Sequence, residues 1–130
     1  MNSSKVVLDA SALLAVIYAE PGSEKLTPAL LSHGVLSTVN LAEVHAKLVS
    51  RGWNSQLAWD DANGVTEEVV DFTSEHAKTA GSLIAETRSL GLSLGGRACL
   101  ALALALKAPV YTADRSWKKL KLGVRIHVIR

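Results

Sequence analysis

The chain contains 130 residues, of which 48% are hydrophobic and 20% charged, and its formal net charge is +2. These values predict a single globular domain over residues 1–130 and indicate no particular partner. They exclude a membrane span, because no uncharged apolar stretch reaches about 18–20 residues, and the N-terminus is predicted to lack a signal peptide.

Strands and helices are predicted to alternate in the first part of the chain. Val6 to Leu8 is a continuous apolar run, as expected for a strand covered on both faces. Residues 11–18 and 23–33 are predicted to be helical, with Pro28 kinking or restarting the second helix. Val35 to Ser37 is the second predicted strand.

Helices dominate the predicted middle of the chain. Asn40 is expected to cap one helix and Asn54 the next, which Gly64 ends. The β-branched run 68–72 predicts an edge strand, and residues 74–90 predict one long helix.

The run 97–107 alternates leucine with alanine, which resembles the period of a strand. Both residues favour helices and the run is about eleven residues long, so a central buried helix is predicted. Strands are expected at Val110 to Thr112 and at 124–129. This order predicts an α/β fold with a mostly parallel, five-stranded sheet.

Three acidic residues lie next to these predicted elements. Asp9 ends the first strand, Glu43 lies near the start of a helix, and Asp114 follows the strand 110–112. Sites in parallel sheets form beyond the carboxyl ends of strands, so the carboxylates are expected to converge and hold a hard divalent cation such as Mg²⁺. Each acid taken alone also fits a capping role, and Asn40 with Glu43 resembles a capping box.

Cys99 is the only cysteine, so the chain has no internal disulfide. Its apolar surroundings predict a small buried side chain rather than a nucleophile, because a reactive thiol needs an accessible, electropositive setting. The cytoplasm is the simplest compartment for such a chain.

Four segments, in order along the chain, resemble the motifs of the PIN domain family. The segments are Val6–Leu14, Thr38–Val44, Leu92–Ala103 and Val110–Trp117. The likeness covers essentially the whole chain and is closest to the VapC toxins of prokaryotic type II toxin–antitoxin modules. It implies a PIN-like, three-layer α/β/α fold.

The resemblance also implies a metal-dependent endoribonuclease that cleaves transfer RNA or a ribosomal RNA loop with Mg²⁺ or Mn²⁺. It carries the metal-site roles onto Asp9, Glu43 and Asp114, and it implies that Ser11 and Thr112 steady the pocket by hydrogen bonds. It further implies a homodimer and a VapB-type antitoxin whose C-terminal segment covers the active site.

Basic residues stand beside two of these motifs and crowd the end of the chain. Arg97 and Arg115 fit two roles, steering the RNA backbone or neutralising the acidic cluster when no metal is bound. The clustered C-terminal cations fit either a surface that tracks phosphates or an ordinary solvated surface. They are Arg115, Lys118, Lys119, Lys121, Arg125 and Arg130.

Gly96 departs from the family pattern, which places an aspartate between Gly95 and Arg97. A glycine is compatible with the start of a helix, so the fold is expected to survive. The missing carboxylate is expected to leave the metal ion poorly placed and the enzyme nearly inactive. The glycine is either an engineered substitution or a natural one, and the sequence leaves this open.

Two other functions are compatible with the same residues. A catalytically dead PIN pseudo-enzyme would pair with an antitoxin and help to repress its own operon. A metal-dependent phosphohydrolase would act on small phosphates instead of RNA.

Overall fold

A five-stranded parallel sheet forms the centre of the computed structural model, which describes residues 4–130; the first three residues of the predicted domain lie outside the described residues. The strands are β1 (Val6–Leu8), β2 (Gly34–Ser37), β3 (Glu68–Val70), β4 (Val110–Thr112) and β5 (Ile126–Val128). Their order in the sheet is β3-β2-β1-β4-β5. The α/β prediction is confirmed, and every pairing is parallel rather than most of them.

Seven α-helices connect these strands within the described residues. They are α1 (Ala10–Tyr18), α2 (Pro28–Leu31), α3 (Thr38–Ser50), α4 (Ser55–Gly64), α5 (Ser74–Ser82), α6 (Ile84–Thr87) and α7 (Leu94–Leu106). Short 3₁₀ helices occupy Ser23–Lys25, Arg88–Leu90 and Arg115–Lys119.

The central strand β1 separates two hydrophobic clusters. Val6 and Leu8 pack in one cluster, to which α1, α3 and α4 contribute their buried side chains. Val7 points the other way, into the cluster built around α7. Successive side chains of a strand face opposite sides of its sheet, so an uninterrupted apolar strand needs helices on both sides. The predicted three-layer α/β/α architecture is therefore confirmed.

The helix predicted over residues 23–33 is wrong as one continuous element, but the predicted restart at Pro28 is confirmed. A 3₁₀ turn at Ser23–Lys25 is followed by α2, which begins at Pro28. Thr27 caps α2 through its Oγ1, which accepts a hydrogen bond of 3.2 Å from the Leu30 amide. Proline has no N–H to donate and its fixed φ suits the first helical position, so the chain restarts at this residue.

The single helix predicted over residues 74–90 is also wrong. It is divided into α5, α6 and the 3₁₀ turn Arg88–Leu90. The Ser82 hydroxyl donates to the Lys78 carbonyl at 2.9 Å, and the Thr87 hydroxyl donates to the Leu83 carbonyl at 2.8 Å. Serine and threonine hydroxyls that bond back to the preceding turn often bend helices, which is consistent with the division of the helix here.

Two helices begin earlier than predicted, at serine caps. Ser37 Oγ accepts from the Val39 amide at 3.2 Å, so α3 starts at Thr38 and Asn40 is not its cap. Ser93 Oγ accepts from the Gly96 amide at 3.3 Å, so α7 starts at Leu94 rather than near Arg97. Glu43 consequently lies in the second turn of α3, and the capping-box interpretation is wrong.

The central helix α7 is confirmed as buried. Eight of its 13 residues are buried, and Leu100 and Leu102 are among the largest enclosed side chains. Its leucine–alanine alternation therefore reflects packing on several sides rather than a strand. Among residues 4–130, no helix combines the length and apolar character that crossing a membrane requires.

Truncation of a leucine in α7 is expected to destabilise the protein strongly. Leu102 is 1% exposed, and Leu102→Ala leaves a cavity that should lower the free energy of unfolding by about 2–5 kcal/mol. Leu57, on α4, is 62% exposed, and Leu57→Ala should change it by less than about 0.5 kcal/mol. Urea unfolding measures both variants, and equal losses would contradict the central position of α7.

Candidate functional site

Asp9 directly follows the central strand, between two neighbouring strands. β1 pairs with β2 on one side and with β4 on the other, and the Asp9 amide donates to the Tyr111 carbonyl at 3.0 Å. The chain therefore leaves β1 where the connections diverge to opposite sides of the sheet. In open parallel sheets, this position beyond the carboxyl ends of the strands forms a crevice suited to a site.

The Asp9 carboxylate is held by two hydroxyl groups. Its Oδ2 accepts from Ser11 Oγ at 2.7 Å and from Thr112 Oγ1 at 3.0 Å, and the residue is only 7% exposed. Asp9 occupies the N-cap position of α1, but its side chain makes no capping hydrogen bond there. The nearby amides of Ala10 and Ser11 nevertheless favour the charged form of Asp9 and lower its pKa.

The same hydroxyls connect α1 with the end of β4. Ser11 Oγ accepts from the Ala113 amide at 2.9 Å, and Thr112 Oγ1 accepts from the Asp114 amide at 3.1 Å. Each hydroxyl can then use its proton for Asp9, which fixes the orientation of the carboxylate. The role of Ser11 and Thr112 in steadying a metal pocket stays a prediction, and these contacts are its structural basis.

The Glu43 side chain extends from α3 and packs against the first turn of α7. Asn40 Nδ2 donates to Glu43 Oε1 at 3.1 Å and to the Gly95 carbonyl at 2.9 Å. A Cβ placed on Gly95 would overlap the Glu43 carboxylate. Glu43 thus occupies the space that a side chain at position 95 would fill, and sequence reasoning missed both Asn40 and Gly95. One usable signal for a contact was the three-residue spacing of Asn40 and Glu43, because residues three apart are neighbours on a helix surface.

Burial and mutual repulsion disfavour ionisation of the two acids. Burial raises the pKa of Asp9, and the hydrogen bonds from Ser11 and Thr112 oppose this shift. Burial also raises the pKa of Glu43, which the Asn40 hydrogen bond lowers and the charge of Asp9 raises further. The two carboxylates therefore interact, and within residues 4–130 neither forms an ion pair.

Asp114 has a different environment. It is exposed, and its Oδ1 accepts from the Ser116 amide at 2.9 Å and from Ser116 Oγ at 2.8 Å, which caps the 3₁₀ helix Arg115–Lys119. In the described part of the chain, no group of three or more His, Cys, Asp or Glu side chains is placed to hold a metal ion. The structure thus brings Asp9 and Glu43 into interaction, while the three-acid metal site stays a prediction.

Gly96 is the third residue of α7 and is buried. A Cβ at this position would lie 3.2 Å from Trp117 Cζ2 and 3.3 Å from the end of the Leu92 side chain. Trp117, 2% exposed, belongs to the 3₁₀ helix that Asp114 caps. Position 96 therefore faces the apolar surroundings of Leu92 and Trp117, and Gly95 is the glycine that lies against Glu43.

The two predicted RNA-binding arginines are engaged with backbone carbonyls. Arg97 Nη1 donates to the Ala80 carbonyl on α5 at 3.0 Å, and its buried Nε has no partner. Arg115 Nε donates to the Arg130 carbonyl at 3.0 Å. Among the described residues neither forms an ion pair with an acid, so nothing here supports neutralisation of the acidic pair; RNA binding stays a prediction.

Cys99 is buried within α7, as the sequence predicted. Burial raises the pKa of its thiol well above the usual value, and the charges of Asp9 and Glu43 raise it further. A thiol kept protonated in this way is a poor nucleophile, so the chemistry of the site rests on the carboxylates.

The donor chemistry of the Asp9–Glu43 pair fits a hard divalent cation. Mg²⁺ prefers oxygen ligands and is usually bound through one or two carboxylates, keeping several waters or substrate oxygens. The pair supplies two carboxylates that repel each other and form no ion pair among the described residues, although the charge of Lys47 partly favours the ionised form of Glu43. A bound cation would relieve this repulsion directly.

The chain matches the PIN domain family over residues 6–122, and it therefore belongs to this family. No curated protein matches it significantly. The resemblance of the four motif segments to PIN domains is thus confirmed at the level of the family.

Solved structures with a similar fold come from several bacteria. DNA-bound VapBC from Salmonella typhimurium gives a TM-score of 0.76 at 18% identity, covering 98% of this chain and 100% of that chain. VapBC2 from Rickettsia felis, bound to a DNA fragment from its promoter, gives 0.73 at 19%, covering 96% and 98%. Mycobacterium tuberculosis VapC20, a Sarcin-Ricin loop cleaving toxin, gives 0.70 at 18%, covering 93% and 99%. At these identities the likeness establishes the fold.

Replacement of Asp9 by asparagine is expected to change how the free energy of unfolding depends on pH. Burial raises the pKa of Asp9 in the folded chain above its ordinary value of 3.8. At a pH between the ordinary and the raised pKa, the folded parent therefore binds more protons than the unfolded parent. The parent therefore loses stability as the pH rises from the ordinary value through the folded value. Asp9→Asn lacks this loss of stability. The free energy of unfolding of the variant, relative to that of the parent, should therefore increase over the same pH interval and then level off.

Urea unfolding in a metal-free buffer at several pH values measures this effect. Leu57→Ala removes no titratable group and should keep a constant offset from the parent. An Asp9→Asn advantage that stays constant, or that shrinks with rising pH, would argue against a buried carboxylate without a cationic partner.

Proposed function

We propose that this PIN domain is the toxin of a VapBC-type toxin–antitoxin pair and a metal-dependent endoribonuclease. One observation carries the proposal: Asp9 is buried beyond the carboxyl end of the central strand, where Ser11 and Thr112 hold it and Glu43 interacts with it. A buried carboxylate beside a second, half-buried carboxylate destabilises the metal-free fold, and such perturbed acids in a cleft are candidates for ligand binding or catalysis. The similar structures support the assignment, since one of them is a Sarcin-Ricin loop cleaving toxin.

Asp9 and Glu43 would hold Mg²⁺ or Mn²⁺, with Asp114 as a third ligand. Such an ion, when bound, offsets the negative charge that develops during phosphodiester cleavage and lowers the pKa of a bound water. The chain itself supplies the orientation. Ser11 and Thr112 fix Asp9, and burial keeps bulk water from its carboxylate.

Gly96 explains why the chain as written is expected to be impaired. An aspartate at this position would add a carboxylate in the first turn of α7, where the positive end of the helix dipole stabilises an anion. Its Cβ would require Leu92 and Trp117 to move by a few tenths of an ångström. The site lacks this charge, and small errors in the placement of catalytic groups reduce rates strongly.

The proposed partners are RNA, a VapB-type antitoxin and a second copy of the chain. A groove of about 630 Å³ between α3 and the start of α7 runs past Glu43, and it supports contact with a macromolecule at the site. Leu94 lies on this groove and is 51% exposed. The antitoxin segment is proposed to cover Glu43 here, and Arg97 and Arg115 are proposed to contact the RNA backbone.

A second candidate is a pseudo-enzyme that binds an antitoxin and represses its operon. Gly96 favours it, as does the engagement of the Asp114 carboxylate in a local cap. The similar VapBC structures bound to DNA are consistent with such a role. The two candidates differ in what Gly96→Asp should do.

Gly96→Asp is expected to increase RNA cleavage in the presence of Mg²⁺ or Mn²⁺ by about 10²-fold over the parent. The added carboxylate completes the proposed metal site and improves placement of the ion. Cleavage of transfer RNA and of a ribosomal loop RNA, with and without EDTA, measures the effect. Binding of Mn²⁺, followed by electron paramagnetic resonance, should increase in parallel.

Gly64→Asp is the matched control, since a Cβ at this exposed position of α4 meets no atom within 4 Å. It adds the same charge away from the site and should leave cleavage at the level of the parent. If Gly96→Asp binds Mn²⁺ no better and cleaves no faster than Gly64→Asp, the chain is a pseudo-enzyme. Turnover of small phosphate esters with RNA left intact would indicate a phosphohydrolase instead.

A further inference from the structure

Asn40 makes two hydrogen bonds that link the acidic pair to the start of α7. The residue is completely buried, and its Nδ2 donates to Glu43 Oε1 at 3.1 Å and to the Gly95 carbonyl at 2.9 Å. An amide NH₂ group has two protons, and both are used here. The bond to Gly95 spans 55 positions of the sequence, so it exists only because α3 packs against α7.

The orientation of this amide is determined by its neighbours. Reversal would place Asn40 Oδ1 against the Glu43 carboxylate and the Gly95 carbonyl, which are both acceptors. Three acceptors in contact without a proton repel one another. The donor side of Asn40 therefore faces Glu43.

The side-chain carbonyl oxygen of Asn40 accepts no hydrogen bond from another residue. Asn40 Oδ1 is buried and has no hydrogen-bond partner. An unpaired acceptor in the interior destabilises the folded chain, and an apolar side chain of the same shape avoids that loss. Asn40 therefore contributes through its donor group, which bonds both the Glu43 carboxylate and the Gly95 carbonyl.

Gly95 also restricts the position of the Glu43 carboxylate. Its backbone lies so close to the Glu43 carboxylate that a Cβ at position 95 would overlap both carboxylate oxygens. A side chain here would push Glu43 away from Asn40. The absence of a side chain at Gly95 and the donor group of Asn40 act together on one carboxylate.

We propose that Asn40 and Gly95 are positioning residues that hold the Glu43 carboxylate in one orientation against the start of α7. The proposal rests on the proposed function for its catalytic consequence, since Glu43 is a metal ligand there. The placement of Glu43 itself is a property of the metal-free chain. The two parts are therefore tested by separate measurements.

The first measurement follows the side-chain NH₂ group of Asn40 by ¹⁵N–¹H NMR of the metal-free protein. Asn40→Leu identifies its signals by their disappearance. Exchange of these protons with water should be at least about tenfold slower than for Asn63, which is exposed on α4. Gly95→Ala should shift the Asn40 signals and speed their exchange, because the added methyl group displaces Glu43.

Gly64→Ala is the control for this measurement, since its added methyl group meets no atom within 4 Å. It should leave the Asn40 signals unchanged. The proposal is overturned if Gly95→Ala leaves them unchanged as well, or if Asn40 exchanges as fast as Asn63. These outcomes depend on neither metal nor RNA.

The second measurement compares Gly96→Asp with the double variant Gly96→Asp, Asn40→Leu. Leucine keeps the branched outline of asparagine but removes the donor to the Gly95 carbonyl together with the unpaired oxygen, so the urea midpoint should change little or fall slightly. The value of kcat should nevertheless fall at least about tenfold, with KM changed little, because Glu43 loses its fixed orientation. A residue with only a structural role would lower the urea midpoint and leave kcat of the folded enzyme unchanged.

The outcomes separate this proposal from the proposed function. If Gly96→Asp cleaves RNA and the double variant cleaves equally fast, the positioning role of Asn40 is wrong and the proposed function stands. If Gly96→Asp is inactive while Gly95→Ala shifts the Asn40 signals and Gly64→Ala does not, the proposed function is wrong and the placement of Glu43 stands.

Discussion

Burial of the Asp9 carboxylate at the end of the central strand is the constraint on which the rest of the site depends. Two hydroxyl groups donate hydrogen bonds to this acid, one from Ser11 at the start of α1 and one from Thr112 at the end of β4. Both hydroxyl groups also accept hydrogen bonds from backbone amides. The network joins three elements around one charge. Burial disfavours the charged form of Asp9, and Asp9 forms no ion pair within the described residues. A bound cation would therefore stabilise its carboxylate.

Two adjacent glycines at the start of α7 have different surroundings. Gly95 leaves room for the Glu43 carboxylate, and Gly96 faces Leu92 and Trp117. Successive residues of a helix point about 100° apart, so neighbours in sequence face different parts of the site. The resemblance to PIN domains directs attention to Gly96, whereas the contacts of the metal-free chain depend on Gly95.

The sequence predicted the strands well and the helix starts less well. Each strand was located within a few residues, since continuous apolar runs such as Val6–Leu8 have one plausible environment. The starts of α3 and α7 were missed because Ser37 and Ser93 cap them, while Asn40 resembled a better cap. Several polar residues near a helix start can serve as caps, and packing of the following turns selects among them.

By itself, the sequence determined the α/β class, the order of the elements and the position of Asp9 after a buried strand, because all three follow from local apolar patterns. The contact between Asn40 and Gly95, in contrast, could not be predicted from local patterns. Asn40 reaches the Gly95 carbonyl across 55 positions, so the contact depends on how α3 meets α7. The cap that Asp114 forms was one of the roles the sequence allowed, since Ser116 lies only two residues away.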